Sequence, residues 1–211
     1  MVDRKLRKDT QRTRNRILDA LGDLIRREGV DFSLPDLARE SGVATATVYR
    51  HFDDARELRD EYYLRSVNQL MVQLEGAGAD LHGLDLYVEV CRRWVNAVAP
   101  WARTGTLIRS SEGFLERARA GNELILRLRG LLGRVLDQLA ADGVIPEQNH
   151  EYATLLWITL FDERVIVDLT AVLEWDLDEV SARLGRSLLG ALSASATPDG
   201  SPRAGAGATA T

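Results

Sequence analysis

Apolar residues recur at three- and four-residue intervals along nearly the whole chain, and nowhere do they alternate with polar ones over a strand-length run. That period predicts helices. Ile17, Leu18, Leu21, Leu24 and Ile25 stripe a first helix from Asp9 or Thr10 to about Glu28, which Gly29 ends. Leu34, Leu37 and Ala38 stripe a short second helix capped by Ser33, with Asp36 three residues on as the other half of a capping box. Gly42 then supplies left-handed backbone for a tight turn, Val43 plugs that turn, and a third helix, about Ala44 to Arg50, points Val48 inward. A fourth starts near Asp54, with Glu57 three residues on, and Leu58, Tyr62, Val67, Leu70, Met71 and Leu74 carry it to a break at Gly76 to Gly78.

From residue 79 the same period continues. It predicts a helix from Leu84 to Trp101, a short segment from about Thr104 to Arg119, and helices over Asn122–Ala141, Glu147–Glu174 and Leu177–Leu192. The run SASATPDGSPRAGAGATAT has no large apolar residue and is expected to be disordered. The expected organisation is all-α: a basic arm and DNA-binding head over residues 1–54, a larger helical body over 55–193, and a disordered tail over 194–211.

Two short helices joined by a Gly-containing turn form the geometry that places its second helix in a DNA major groove. The residues of the second helix left facing out are Thr45, Thr47 and Tyr49, and the candidates for DNA contact are these three with Ala46, Arg50 and His51. Threonine hydroxyls reach base edges or phosphates, and a guanidinium such as that of Arg50 can fork onto guanine. Thr13, Arg14 and Ser33, read as lying at helix starts, are candidates for phosphate contact through exposed N–H groups, and Ser33 serves equally as a plain cap.

The run from about Thr13 to Leu58 resembles the N-terminal domain of the TetR family of one-component transcriptional regulators. The resemblance lies in the TRNRI helix start (Thr13 to Ile17), the glycine ending that helix (Gly29), the Ser33 cap and GVATATVYRHF at Gly42 to Phe52. It implies an N-terminal reading head, a helical body that binds a small molecule, and a homodimer paired through its last two helices. It also implies that Tyr49 and His51 look toward phosphate. Two positions depart from the pattern. Ala44 stands where a serine usually caps the recognition helix, a loss of about 0.5–2 kcal/mol unless Thr45 caps instead. Ala55 stands where a cation is usual, leaving Arg56 or Arg59 to cover that role beside Asp53 and Asp54.

The net charge of −5 over 211 residues argues against nucleic acid until its distribution is read. Residues 1–16 hold seven Lys or Arg against Asp3 and Asp9, while residues 66–211 hold 13 Arg against 19 Asp or Glu. A basic arm ahead of a helix-turn-helix is the electrostatic footprint of phosphate contact. No stretch of 18 apolar residues suggests a membrane span, and the basic N-terminus lacks an apolar segment behind it, so a cytoplasmic protein is expected. Cys91 is the only cysteine.

For a ligand, the body offers Tyr87, Cys91, Trp94, Trp101, Phe114, Trp157 and Phe161, with Arg109, Asn96 and Asp162 as polar groups. An apolar, aromatic cavity of this kind suits a flat or hydrophobic small molecule. The penultimate helix carries apolar residues on more than one side and Leu184, Leu188, Leu189 and Leu192 stripe the last, which suggests a second copy. No catalytic residues, metal site or cofactor are expected, since His51, His82 and His150 are scattered and no phosphate loop or nucleophile elbow is present. The leading reading is a homodimeric regulator, most simply a repressor, released from a pseudo-palindromic double-stranded operator by a small molecule. The alternative is a helical ligand-binding dimer with weakened or lost operator affinity.

Overall fold

Every regular element among the described residues is helical, in a computed structural model that describes residues 2–29, 31–78, 80–108 and 112–194. The chain runs α1 (Val2–Glu28), α2 (Leu34–Ser41), α3 (Thr45–His51), α4 (Ala55–Glu75), α5 (Gly83–Val98), α6 (Ala102–Ile108), α7 (Phe114–Arg119), α8 (Glu123–Ala141), α9 (His150–Leu160), α10 (Glu163–Val167) and α11 (Leu177–Ala194). A single π-helical turn, Asp168–Val172, extends α10.

Boundaries shift where the sequence carries no stop signal. Helix α1 begins at Val2, well ahead of Asp9, because residues 2–8 contain neither Gly nor Pro to interrupt it. The predicted helix over 84–101 ends at Val98, before Pro100. The segment predicted over 104–119 is two helices, α6 and α7. The predicted Glu147–Glu174 helix breaks at Asp162, whose extended backbone and carboxylate cap α10 by accepting from Arg164 N at 2.9 Å. At the tail, Ala194 is still helical, and residues 195–211, where disorder is expected, lie outside the described residues.

Two apolar cores form. Ile17, Leu18, Leu21, Leu24 and Ile25 of α1 meet Leu37, Val48, Phe52 and Leu58 in the smaller one. Val67, Leu70, Met71 and Leu74 of α4 join α5, α8, α9 and α11 in the larger. Helix α4 thus serves both cores, and its first turns belong with the head rather than beginning a new unit at residue 55. Where α1 approaches α4, a Cβ at Gly22 would sit 2.7 Å from Tyr62 Oη, so a larger residue would displace that ring.

Leu184, Leu188 and Leu192 are at most 7% exposed within one protomer, packed in its own core, and Leu189 alone of the stripe is half-buried. The apolar surface that remains near the C-terminal helices is Tyr152, Val172 and Leu173, each more than half exposed.

Candidate DNA-reading head and ligand cavity

The turn of the helix-turn-helix is built by local hydrogen bonds. Ser33 Oγ accepts from Asp36 N at 3.2 Å, and the Asp36 carboxylate accepts from Ser33 N and from its hydroxyl. These bonds, Ser33 Oγ first and then Arg39, hold the Asp36 carboxyl below its ordinary range. The Ser33 hydroxyl is therefore spent on capping, with a carboxylate beside it. At the other end Gly42 adopts φ 63°, its N–H bonds Arg39 O, and Val43 N–H bonds Ala38 O at 3.1 Å, closing α2 in a left-handed cap.

Helix α3 starts at Thr45 from an extended Ala44 that makes no side-chain cap, so Thr45 is its first helical residue and does not replace the missing serine. Val48 is fully buried and anchors it. On the outward side Ala46 and Arg50 are exposed, Tyr49 is 54% exposed, and Thr45, Thr47 and His51 are half-buried. Burial first, then Arg50 and Arg14, lower the His51 pKa. Asp54 caps α4 by accepting from Arg56 N and Glu57 N, both at 2.8 Å, and Glu57 accepts from Asp53 N at 2.7 Å. The acidic pair thus starts a helix. Arg56 is exposed and weakly paired with Asp60 at 3.8 Å, and Arg59 is half-buried.

Thr13 and Arg14 are corrections. Both lie mid-helix, because α1 begins at Val2, and neither stands beside free N–H groups. Thr13 Oγ1 donates to Asp9 O at 3.0 Å. Arg14 donates to His51 O at 2.8 Å and to Glu61 Oε1 at 2.6 Å, lies 3.6 Å from Glu57, and stacks over the Phe52 ring at 4.3 Å. Its guanidinium ties α1 to the end of α3 and to α4, an internal strut of the head.

In the body, a cavity of about 300 Å³ opens between α4, α5, α7, α8 and α9. Of the expected ligand residues, Trp94, Trp101, Phe114 and Phe161 line it, as does Asp162. Tyr87, Cys91 and Trp157 do not. Tyr87 Oη donates to Gly185 O at 2.7 Å, locking α5 to α11, and Trp157 packs edge-on against Tyr87 at 5.1 Å. Burial pushes the Cys91 thiol up to about 12, so it is an inert core thiol. Asn96 is exposed and donates to Arg92 O, and Arg109 lies outside the described residues. Residues not foreseen complete the wall, among them Tyr63, Leu128, Ile158 and Arg117. The spacing of Phe114 and Arg117, one helical turn apart, is the signal that could have linked them.

Trp94 and Phe161 are joined by an indole N–H to Phe161 O bond of 3.1 Å and by edge contact at 5.9 Å. Trp101 also contacts Tyr63 edge-on at 6.2 Å. With Pro100 it further lines a groove at the head–body junction, opposite Gly22 and Arg26 of α1 and Tyr62 of α4. One side chain therefore borders both the cavity and the head.

Residues 17–62 match the family model described as bacterial regulatory proteins, tetR family. The head is a tetR-family domain. The tetR-family match takes in α1 from Ile17 through α2, α3 and the first turns of α4, the same residues that share the smaller core. An uncharacterized HTH-type transcriptional regulator of Mycobacterium tuberculosis is 31% identical over 88 residues, 41% of this chain and 38% of that protein. An HTH-type transcriptional regulator of Staphylococcus aureus is 33% identical over 36% of this chain and 42% of its own length. The chain thus spans about two fifths of the curated relatives it matches. The whole fold resembles the fatty acid degradation regulator FadR from Bacillus halodurans, with TM-score 0.68, 18% identity, and coverage of 83% of this chain and 94% of that one. FadR from Bacillus subtilis, in complex with stearoyl-CoA, gives TM-score 0.67 at 20% identity over 82% of this chain and 96% of that one. Among the described residues no helix is long and apolar enough to cross a membrane, and no cluster of metal-ligating side chains is present.

Proposed function

We propose that this protein is a DNA-binding transcriptional regulator, acting as a homodimeric repressor that a small molecule releases from a pseudo-palindromic operator. The observation that carries the reading is α3, anchored by buried Val48 and leaving Ala46, Tyr49 and Arg50 exposed on a tetR-family head. Thr45 and Thr47 at its start, with Tyr49, Arg50 and His51 toward its end, supply base and phosphate contacts. Ser33 and Arg14 hold the head together instead.

Two heads require two copies. The exposed Tyr152, Val172 and Leu173 support pairing through the C-terminal helices, since an apolar surface of that kind favours a partner. A two-fold dimer presents recognition helices to half-sites about one helical turn apart. The body cavity is the effector site, and the ligand acts through Trp101, which borders the cavity on one side and the α1 groove on the other. A ligand that favours one conformer about a hundredfold shifts the balance by roughly 2.8 kcal/mol, enough to change operator occupancy.

The uncapped start of α3 favours a second reading, a helical ligand-binding dimer with low operator affinity. A gel shift with the DNA upstream of the gene separates the two. The regulator binds a palindrome specifically and loses affinity steeply with salt. Weak, sequence-blind binding at moderate salt would contradict it.

A further inference from the structure

The cavity is lined by both apolar and charged side chains, and the charges are unevenly committed. Val67, Leu70, Ile125, Leu128 and Leu155 make the apolar part. Asp162 caps α10 and takes the Arg164 guanidinium at 3.0 and 3.2 Å, which neutralises it. Glu112 and Glu163 are engaged as well. Arg117, half-buried in the same wall, has no side-chain partner among the described residues. Among the described charged residues of the wall, the Arg117 guanidinium is therefore the one left without a side-chain partner.

We propose that the cavity takes an apolar carboxylate, its hydrocarbon part among the aliphatic and aromatic side chains and its carboxylate forked on Arg117. This rests on reading the cavity as the effector site. A guanidinium presents parallel N–H groups that match a carboxylate in geometry and charge. A ligand that covers Arg117 without pairing it strips water from a charge and returns nothing, which disfavours neutral and cationic ligands of the same shape. The volume of about 300 Å³ lies at the small end of ligand sites and suits a medium-length chain.

The test titrates the full chain with decanoate, decanol and decyltrimethylammonium below their micellar concentrations, following tryptophan emission and heat. Decanoate is expected to bind at least about tenfold tighter than the other two, the scale of one charge-assisted contact. Arg117→Gln should abolish that preference while leaving decanol within about twofold, and Arg117→Lys should keep part of it. Thermal melts of both variants verify folding. Equal binding of all three probes that ignores Arg117 overturns the carboxylate and leaves the effector cavity standing. Tighter binding of the ammonium also overturns it, and binding of none of the three overturns the cavity reading as well.

Discussion

Arg14, midway along α1, and Glu61, in the second turn of α4, are clamped together: Nε donates to Oε1 at 2.6 Å and Nη2 reaches Oε2. The same guanidinium holds the last carbonyl of α3, that of His51. A charge-assisted, partly buried pair of this kind stabilises by about 1–2 kcal/mol. Arg14→Gln should lower the thermal midpoint by several degrees. The salt dependence of DNA affinity should keep its slope, because no phosphate contact is lost. A shallower slope with an unchanged melt would mean that Arg14 meets the backbone of DNA after all.

Ala44 occupies an N-cap with extended backbone, φ −66° and ψ 143°, and offers no side-chain oxygen to the first N–H groups of α3, although its carbonyl accepts from Thr47 N at 2.7 Å. Ala44→Ser supplies one without altering the backbone. It should stabilise the head by about 0.5–1 kcal/mol in denaturant melts and tighten operator binding by ordering the recognition helix. No gain in stability would show that water already satisfies the N–H groups that the Ala44 carbonyl does not reach.

Glu89 accepts from Arg92 Nε at 2.9 Å, Arg92 Nη2 at 2.8 Å and Arg93 Nε at 2.5 Å, which pulls its carboxyl down to about 2, with the Arg92 bonds the largest cause. A carboxyl depressed on folding contributes stability that is complete above its unfolded value of about 4.5 and is lost as pH falls toward 2. Glu89→Gln should therefore cost about 1 kcal/mol at pH 7 and nearly nothing at pH 2, because the exposed guanidiniums leave much of the pair to solvent. Urea melts at the two pH values measure the difference. An equal cost at both would assign the loss to packing.

Gly105 sits against the ring that borders both cavity and head. A Cβ there would lie 2.6 Å from Trp101 Cζ3 and 2.8 Å from Cε3. Trp101 is only 6% exposed, so it cannot swing into solvent. Gly105→Ala should cost about 1–3 kcal/mol through overpacking and shift the tryptophan emission. It should also change the effector concentration needed to release DNA more than it changes DNA affinity without effector. Unaltered release would remove Trp101 from the coupling.

The head was legible because its signals are local. A Ser33–Asp36 box, a left-handed Gly42 and a buried Val48 each work within a few residues, and all three stand where the spacing put them. Thr13 and Arg14 were misplaced for a related reason: a stripe shows which face is buried and says nothing of where a helix begins. The cavity was half legible. Periodicity marks Tyr87, Trp94 and Trp157 alike as inward, and only the three-dimensional arrangement leaves a void beside Trp94 while filling the space around Tyr87 and Trp157. Arg117 is not marked by the sequence, because a lone arginine on a short helix reads as solvated surface. The break at Asp162 is masked by the apolar period resuming at Val165, although an aspartate before Glu163 is a helix-start signal.

The claim beneath the whole account is that the outward side of α3 reads DNA while its inward side only holds the head. Fluorescence anisotropy with an operator duplex, paired with a thermal melt, tests it in a Thr47→Ala, Tyr49→Ala double variant. Thr47 is half-buried and Tyr49 is mostly in solvent, so the melt should move by no more than about 1 kcal/mol. Affinity should fall by about a hundredfold or more, two contacts at 1–3 kcal/mol each. A folded double variant that binds the operator as tightly as the parent would contradict it.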